Sequence, residues 1–315
     1  MSPNSTSPVP SGVLPIYKPA GVTSHDVVAQ VRRVLGKQKV GHTGTLDPFA
    51  TGLLLIVIGS TTRLVEYAHA VNKTYETCVT LGATSDTDDL TGVVVPQAAT
   101  APTQATIEGV LPAFCGSIAQ LPPWYAAVKV GGKKLYEYAR AGESGAAENV
   151  RKPRQVYIES ITILEYRYPE LKLRVTCGAG TYIRALGRDI GEALHTGGYL
   201  SALQRTRIGS IDISQAVAVA DLTPDTWQKH LLPTTMLLAH LPRFILPAGN
   251  VAQWRQGRAI DQVSPLLPGG PIAVFNEAEE LQGIGQYEAT TGRLLPHKVL
   301  EASQPASTAG PPAGG

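Results

Sequence analysis

Asp47 is the residue whose type and setting point most directly to chemistry. It stands in Gly41-His42-Thr43-Gly44-Thr45-Leu46-Asp47-Pro48-Phe49-Ala50-Thr51-Gly52, where three glycines and three threonines crowd into twelve residues. Such backbone bends sharply or admits a close approach. Pro48 pushes Asp47 away from helical geometry into an extended or turn conformation. Leu53 to Ile58 is then a continuous apolar run, the pattern of a buried strand. A carboxylate held on a rigid turn at a sheet edge is suited to act as nucleophile or general base. The plainer alternative is a turn aspartate that accepts bonds from nearby amides.

The elements that must position this residue are readable around it. Ser24 is placed to cap a helix with an apolar face of Val27, Val28, Val31 and Leu35, ending at Gly36. Leu171 to Cys177 alternates strictly and reads as a strand with one buried face. Gly178 to Gly180 turns the chain, and Ile183, Leu186, Ile190 and Leu194 recur at helical spacing. Arg184 and Arg188, four apart, fall on a different face of that helix. A cation at Arg184, in the first turn, opposes the helix dipole and argues for a specific partner. Strands and helices mix without regular βαβ alternation, so the fold class is α+β.

At 315 residues the chain has room for a large domain and a small one, and 43% hydrophobic with 17% charged residues is the composition of a soluble protein. No apolar segment approaches the roughly 20 residues that cross a bilayer, and Met1 to Gly12 lacks the basic and apolar regions of a signal peptide. Cys78, Cys115 and Cys177 are odd in number and widely spaced, which suggests buried thiols in a reducing cytoplasm rather than disulfides or a zinc site. The net charge of +2 is small, but segments 29–75, 129–154 and 171–209 carry 19 of the 27 basic residues and a local excess of 12 positive charges. Aromatics at Trp124, Tyr125, Tyr136 and Tyr138 interleave with them, a pairing suited to RNA backbone and splayed bases.

Gly41 to Leu54 closely resembles the catalytic motif of the TruB family of bacterial tRNA pseudouridine(55) synthases. Tyr17-Lys18-Pro19-Ala20-Gly21-Val22-Thr23-Ser24 resembles the family's first motif, Lys73-Thr74-Tyr75 its Lys-x-Tyr element and Gly180-Thr181-Tyr182-Ile183-Arg184 its third motif. Leu121 to Lys129 and Lys134 to Arg140 resemble its RNA-gripping insertion. The matches keep their order over roughly residues 13 to 210, which is far more specific than one short pattern. The resemblance implies a pseudouridine synthase fold with a mixed, mainly antiparallel central sheet, and a small C-terminal β-rich PUA-like domain. It implies a catalytic domain 13–240 with an RNA-gripping insertion at about 121–153 and a terminal domain 241–301, while residues 1–12, rich in Ser, Pro and Asn, and the tail 302–315 read as disordered from their composition. Ala141 to Asn149 reads as a mobile loop.

Residue by residue, the resemblance makes Asp47 the nucleophile, Arg184 its charged partner and Tyr75 the ring that stacks on the target base and relays a proton. Tyr182 and Leu203 would line the pocket, and His42 would fill the stack vacated when the uridine flips out. Lys18, Lys73, Lys129, Lys133, Lys134 and Arg140 would bind RNA. The substrate would be the T-arm stem-loop of tRNA, handled by a cytoplasmic monomer with no protein partner and no membrane association. Isomerisation of uridine needs no redox or energy input, so neither a cofactor nor a metal is implied. Whether Asp47 attacks C1′ or C6, or deprotonates the sugar to give a glycal, stays open. Ala179 departs from the family by replacing a more polar residue.

Two other readings compete. A catalytically silent RNA chaperone on the same scaffold has no need of Asp47, Tyr75 and Arg184 together. A glycoside hydrolase would want two carboxylates flanking the bond, whereas Asp86, Asp88 and Asp89 read as a solvated loop.

Overall fold

The computed structural model describes residues 10–126, 128–130, 133–141, 151–261 and 269–300. Its centre is a ten-stranded mixed sheet. The main path runs Val217–Ala218, Gly12–Lys18, Thr51–Ile58, Gly198–Ile208, Lys73–Leu81, Glu170–Cys177, Arg154–Arg167 and Gly116–Gln120. Only the first pair and the Thr51–Ile58 with Gly198–Ile208 pair are parallel along this path; the other pairings are antiparallel. The fold is thus α+β with a mixed, mainly antiparallel sheet.

The local patterns dictate this arrangement. Every residue from Gly52 to Ile58 is buried, because both faces of its strand are covered. Glu170–Cys177 buries Leu171, Leu173, Val175 and Cys177 on one face and turns lysine and arginine to the other. The helix Ile183–Ala193 buries Ile183, Leu186 and Ile190 against that face. The helix Ser24–Leu35 carries the anticipated apolar stripe and ends at Gly36, whose φ is +69°. Its cap, however, is Thr23, which forms a capping box with Asp26. Ser24 is instead fully buried: its hydroxyl accepts from Leu46 N at 2.9 Å and reaches Leu46 O at 3.3 Å. Thr23 has an extended ψ of 160° and can cap, which frees Ser24 to tie down the turn before Asp47.

A second, four-stranded sheet runs Arg243–Leu246, Pro271–Asn276, Leu281–Glu288 and Arg293–Val299. It is the β-rich C-terminal portion. Ala273, Phe275, Ile284 and Leu300 join Val13, Leu53, Leu55 and Val57 in one apolar cluster, so the two sheets share a core. Tyr67 Oη lies 2.7 Å from His297 Nδ1 across the same junction. Cys78, Cys115 and Cys177 are free thiols. The anticipated disordered termini and the loop 141–149 lie outside the described residues, apart from residues 10–12 and Ala141; Gly12 already begins the first strand. Among the described residues no helix is long and apolar enough to cross a membrane, and no group of three or more acidic, histidine or cysteine side chains could hold a metal ion.

Candidate active site

The turn that carries Asp47 is pinned from below by the N-terminal motif. Lys18 is fully buried, and its Nζ donates to Pro19 O and Val22 O at 2.8 Å and to Pro48 O at 3.2 Å. Gly21 N donates to Pro48 O at 2.8 Å, and Thr43 N to Leu55 O at 3.1 Å. The carboxylate is therefore held from both sides of its own turn. Lys18 was expected on an RNA-facing surface; the structure puts it beneath the turn, with its ammonium engaged by three carbonyls. Burial lowers its pKa from 10.5 to about 8, against the opposing pull of Asp47.

Arg184, 5% exposed, lies directly beside Asp47. Its Nε is 2.9 Å from Asp47 Oδ2, off the line of an ideal hydrogen bond, and Nη2 donates to Oδ1 at 3.2 Å. This two-point contact fixes the carboxylate in one plane. The other donors reach Thr87 O and Tyr125 O at 3.0 Å, and Nη1 lies 3.3 Å from Asp89 Oδ2. Asp88 and Asp89 are thus not solvated: both are buried, Asp89 against Arg184 and Asp88 against Arg188 at 2.8 Å. The sequence shows three acids in a turn-like run but not the arginines, about a hundred residues later, that draw them inward.

Asp47 sits deep among protein atoms while about a third of its side chain stays open to the cleft above. Desolvation pushes its carboxyl pKa up, and Arg184 pulls it back toward the ionised form. The cleft encloses about 350 Å³ and is lined by Thr43 to Asp47, His69, Lys73, Tyr75, Tyr125, Tyr182, Arg184, Leu203 and Arg205, among others. That volume suits a small ligand such as one nucleoside. A larger hollow of about 630 Å³ lies against the helix Gln104–Val110 and the strand Arg154–Arg167, but the ion pair at its wall, Glu165 with Lys172 at 2.7 Å, is open to solvent. The chemistry belongs to the smaller cleft.

Tyr75 comes from the Lys73–Leu81 strand, and burial raises the pKa of its phenol. Leu203, on the neighbouring strand, is 7% exposed and packs in the same cluster as Tyr75. Tyr182 immediately precedes the helix Ile183–Ala193. Its backbone is clamped by the buried side chain of Gln120, which accepts from Tyr182 N at 2.8 Å and donates to Tyr182 O at 3.1 Å. Sequence thus brings Asp47, Tyr75, Tyr182, Arg184 and Leu203 to one cleft from four separate segments.

His42 does not line the cleft but adjoins Thr43, which does. Its Nδ1 accepts from Gly44 N at 3.2 Å, and its ring meets His25 edge-on, centroids 5.4 Å apart. Burial, with His25 adding repulsion, lowers its pKa and favours the neutral imidazole. Lys73 lines the cleft instead of an outer face. It is 8% exposed, donates to Val71 O at 2.8 Å and His69 O at 3.3 Å, and burial lowers its pKa to about 8. Lys129 and Lys133–Lys134 belong to a two-stranded hairpin and Arg140 ends the helix Leu135–Arg140; their side chains lie outside the described ones.

Arg205 and Thr43 are among the cleft residues that went unmarked in the sequence. Arg205 is 1% exposed and donates through Nε to Leu53 O at 2.8 Å and through Nη2 to Gly44 O at 3.2 Å. Its signal was alternation, since it follows Leu203 by two in a strand and faces the same side. Thr43, 2% exposed, holds a buried hydroxyl with no hydrogen-bond partner among the described residues. Nothing in its sequence context distinguishes it from a turn threonine.

Comparison with known proteins agrees with this geometry. The signature of the TruB family pseudouridylate synthase N-terminal domain matches residues 32–183, and that of the tRNA pseudouridylate synthase B C-terminal domain matches residues 184–251. A tRNA pseudouridine synthase B of Nitrosospira multiformis is 38% identical over 96% of this chain and 99% of that protein. One of Azoarcus sp. is 40% identical over 92% of this chain and 94% of its own length. Among solved structures, one from a Cbf5-Nop10-Gar1 complex superposes with a TM-score of 0.72 at 26% identity, covering 92% of this chain and 84% of its own. With two contiguous family signatures and relatives of this similarity along nearly its whole length, the chain belongs to the TruB family of pseudouridylate synthases.

Proposed function

We propose that this chain isomerises the uridine of the TΨC loop of tRNA to pseudouridine, with Asp47 as nucleophile. The reaction breaks the N1–C1′ bond, turns the free base and joins C5 to C1′, while C5 loses a proton and N1 gains one. An enzyme for it needs an ionised carboxylate in a dry cleft and walls that keep the detached base in place. The observation that carries the reading is the two-point Arg184–Asp47 pair at the floor of a nucleoside-sized cleft. The guanidinium favours the ionised carboxylate and opposes the desolvation that the cleft imposes, which is the larger effect.

Tyr75 and Leu203 border the space above Asp47, and Tyr182 borders it from the helix side. Tyr75 is suited to stack on the base. The target must flip out of the folded loop to enter, at a cost of a few kcal/mol. His42, neutral and beside the cleft, suits the vacated stack. The hairpin and helix of residues 129–140 would grip the T-arm through Lys129, Lys133, Lys134 and Arg140. The domain boundary near residue 241, a PUA-like character for the second sheet, a monomeric state and a cytoplasmic setting belong to the same reading.

Tritium release from unmodified tRNA labelled at uridine C5 tests it, because C5 must lose its hydrogen when the new bond forms. Release by the native chain and none by Asp47→Asn, with RNA binding retained, is the expected result. Binding without release by either protein would favour the chaperone reading instead.

A further inference from the structure

Tyr182 lines the cleft, yet the residues on either side of it do little to fix it. Gly178 and Gly180 precede it, the latter at a φ of +82°, and glycine backbone is permissive. After it the helix Ile183–Ala193 starts with no side-chain cap. An uncapped start is weakly held, because the first amides have no acceptor within the helix. Tyr182 has to be fixed from elsewhere in the chain.

The hold comes from Gln120, 62 residues earlier. Its Cα is set by the sheet, where Gln120 ends the edge strand Gly116–Gln120 opposite Arg154. Its side chain is buried and spends its whole amide on one residue: Oε1 accepts from Tyr182 N at 2.8 Å, and Nε2 donates to Tyr182 O at 3.1 Å. The amide has only this orientation open to it, since a backbone N–H donates and a carbonyl accepts. Two such bonds to the N and O of one residue restrain its backbone as a paired strand would.

The segment that begins at Gln120 is pinned to the same helix twice more. Arg188 Nη2 donates to Leu121 O and Arg184 Nη2 to Tyr125 O, both at 3.0 Å. The Tyr182 ring in turn packs against the small apolar cluster of Ala126, Val128 and Leu135. One ring therefore touches both the cleft and the insertion that follows Gln120.

We propose that Gln120 is a positioning residue that acts through Tyr182: by clamping the backbone of Tyr182 it holds that ring at the cleft wall, where the ring keeps the bound nucleotide in register with Asp47. This rests on the pseudouridine synthase reading for the nucleotide, and on the clamp alone for the placement of the ring.

The test replaces Gln120 by Met in the full chain, which keeps the length of the side chain but neither polar contact. Single-turnover tritium release at saturating tRNA should fall roughly ten- to a hundredfold, the cost of an ångström-scale misplacement, while the Kd for tRNA changes by less than about threefold. A merely structural glutamine would lower stability and leave both values alone, and a residue of RNA grip would raise Kd and spare the saturated rate. Either result overturns the proposal. In a Tyr182→Leu background Gln120→Met should cost less than about threefold more, and losses that multiply overturn it as well. Gln120→Glu, which keeps the acceptor for Tyr182 N and loses the donor to Tyr182 O, runs the same cycle should the methionine variant not fold. A readout that needs no RNA is hydrogen exchange at the Tyr182 amide. It should quicken about tenfold in Gln120→Met relative to the amide of Val79 in the central sheet, and unchanged exchange overturns the clamp. No tritium release by the native chain would refute the enzymatic reading, while the Tyr182 amide still reports the clamp.

Discussion

Asp89 Oδ2 lies 3.3 Å from Arg184 Nη1, on the part of the guanidinium that Asp47 does not use. One buried cation therefore serves two carboxylates, and the two act on Asp47 with opposite sign: Arg184 lowers its pKa and Asp89 raises it. A carboxylate nucleophile must be ionised, so activity should fall on the acid side as Asp47 takes up its proton. With desolvation raising its pKa, that fall should begin above the ordinary aspartate value of about 4. Arg184→Gln should shift the acid limb of kcat/KM further up in pH, and Asp89→Asn should shift it down. Profiles that move together, or not at all, would sink this account of the pair.

Lys18 and Lys73 leave a signature in stability. Both are buried and both have pKa values lowered from 10.5 to about 8, mainly by desolvation. Between these values the unfolded chain binds more protons than the native one, so native stability rises with pH across the window from 8 to 10.5. A salt-bridged lysine would give the reverse. Denaturant unfolding of the native chain and of Lys73→Met at stepped pH is the measurement. The native chain should gain on the variant as pH climbs through that window, and a constant difference would contradict it.

Gly52 has a φ of +102°, and a Cβ placed there would overlap the Arg205 carbonyl oxygen across the parallel pairing. Backbone cannot yield as a flexible side chain would. Gly52→Ala should lower the unfolding free energy by about 2–4 kcal/mol, from conformational strain plus overlap. Gly21, with φ of +83° but open space around it, should cost less. Equal losses at the two positions would show that strain alone decides.

The Thr43 hydroxyl supplies a case where stability and activity part. A buried hydroxyl without a partner is a desolvation cost in the folded protein. Thr43→Val should raise stability by up to about 1 kcal/mol, because it removes that cost at nearly constant volume. It should also lower kcat/KM if a nucleotide oxygen supplies the missing partner, and Thr43→Ser should restore turnover. Unchanged kinetics in Thr43→Val would remove the hydroxyl from the site.

What was legible in the chain was local pattern and motif. The apolar run after Asp47, the alternation from Leu171 to Cys177 and the stripe on the helix Ile183–Ala193 each write their own burial, because the period of an element is visible in a few residues. The pairing of Asp47 with Arg184 spans 137 residues and came from family motifs, not from any pattern near either residue. Partners at such distances also explain the misreadings. Lys18 read as an RNA-binding cation, and the carbonyl of Pro48, which with those of Pro19 and Val22 closes its buried cage, is thirty residues away. Asp88 and Asp89 looked solvated because Arg188 and Arg184 lie on a helix a hundred residues later. Thr23 and Ser24 are both good caps, and only the demand of Leu46 for a buried partner separates their roles.

The strand order has a consequence for how the protein is made. The strands that flank the cleft, Thr51–Ile58 and Lys73–Leu81, are close in the chain but do not pair with each other; Gly198–Ile208 is inserted between them. On a ribosome the strand that follows the Asp47 turn and the strand of Tyr75 emerge early and then wait, without their shared neighbour, until some 120 further residues have been added. Arg184, Leu203 and Arg205 all arrive in that late stretch. A nascent chain therefore carries Asp47 without its partner until the helix just before the closing strand, Ile183–Ala193, brings in Arg184.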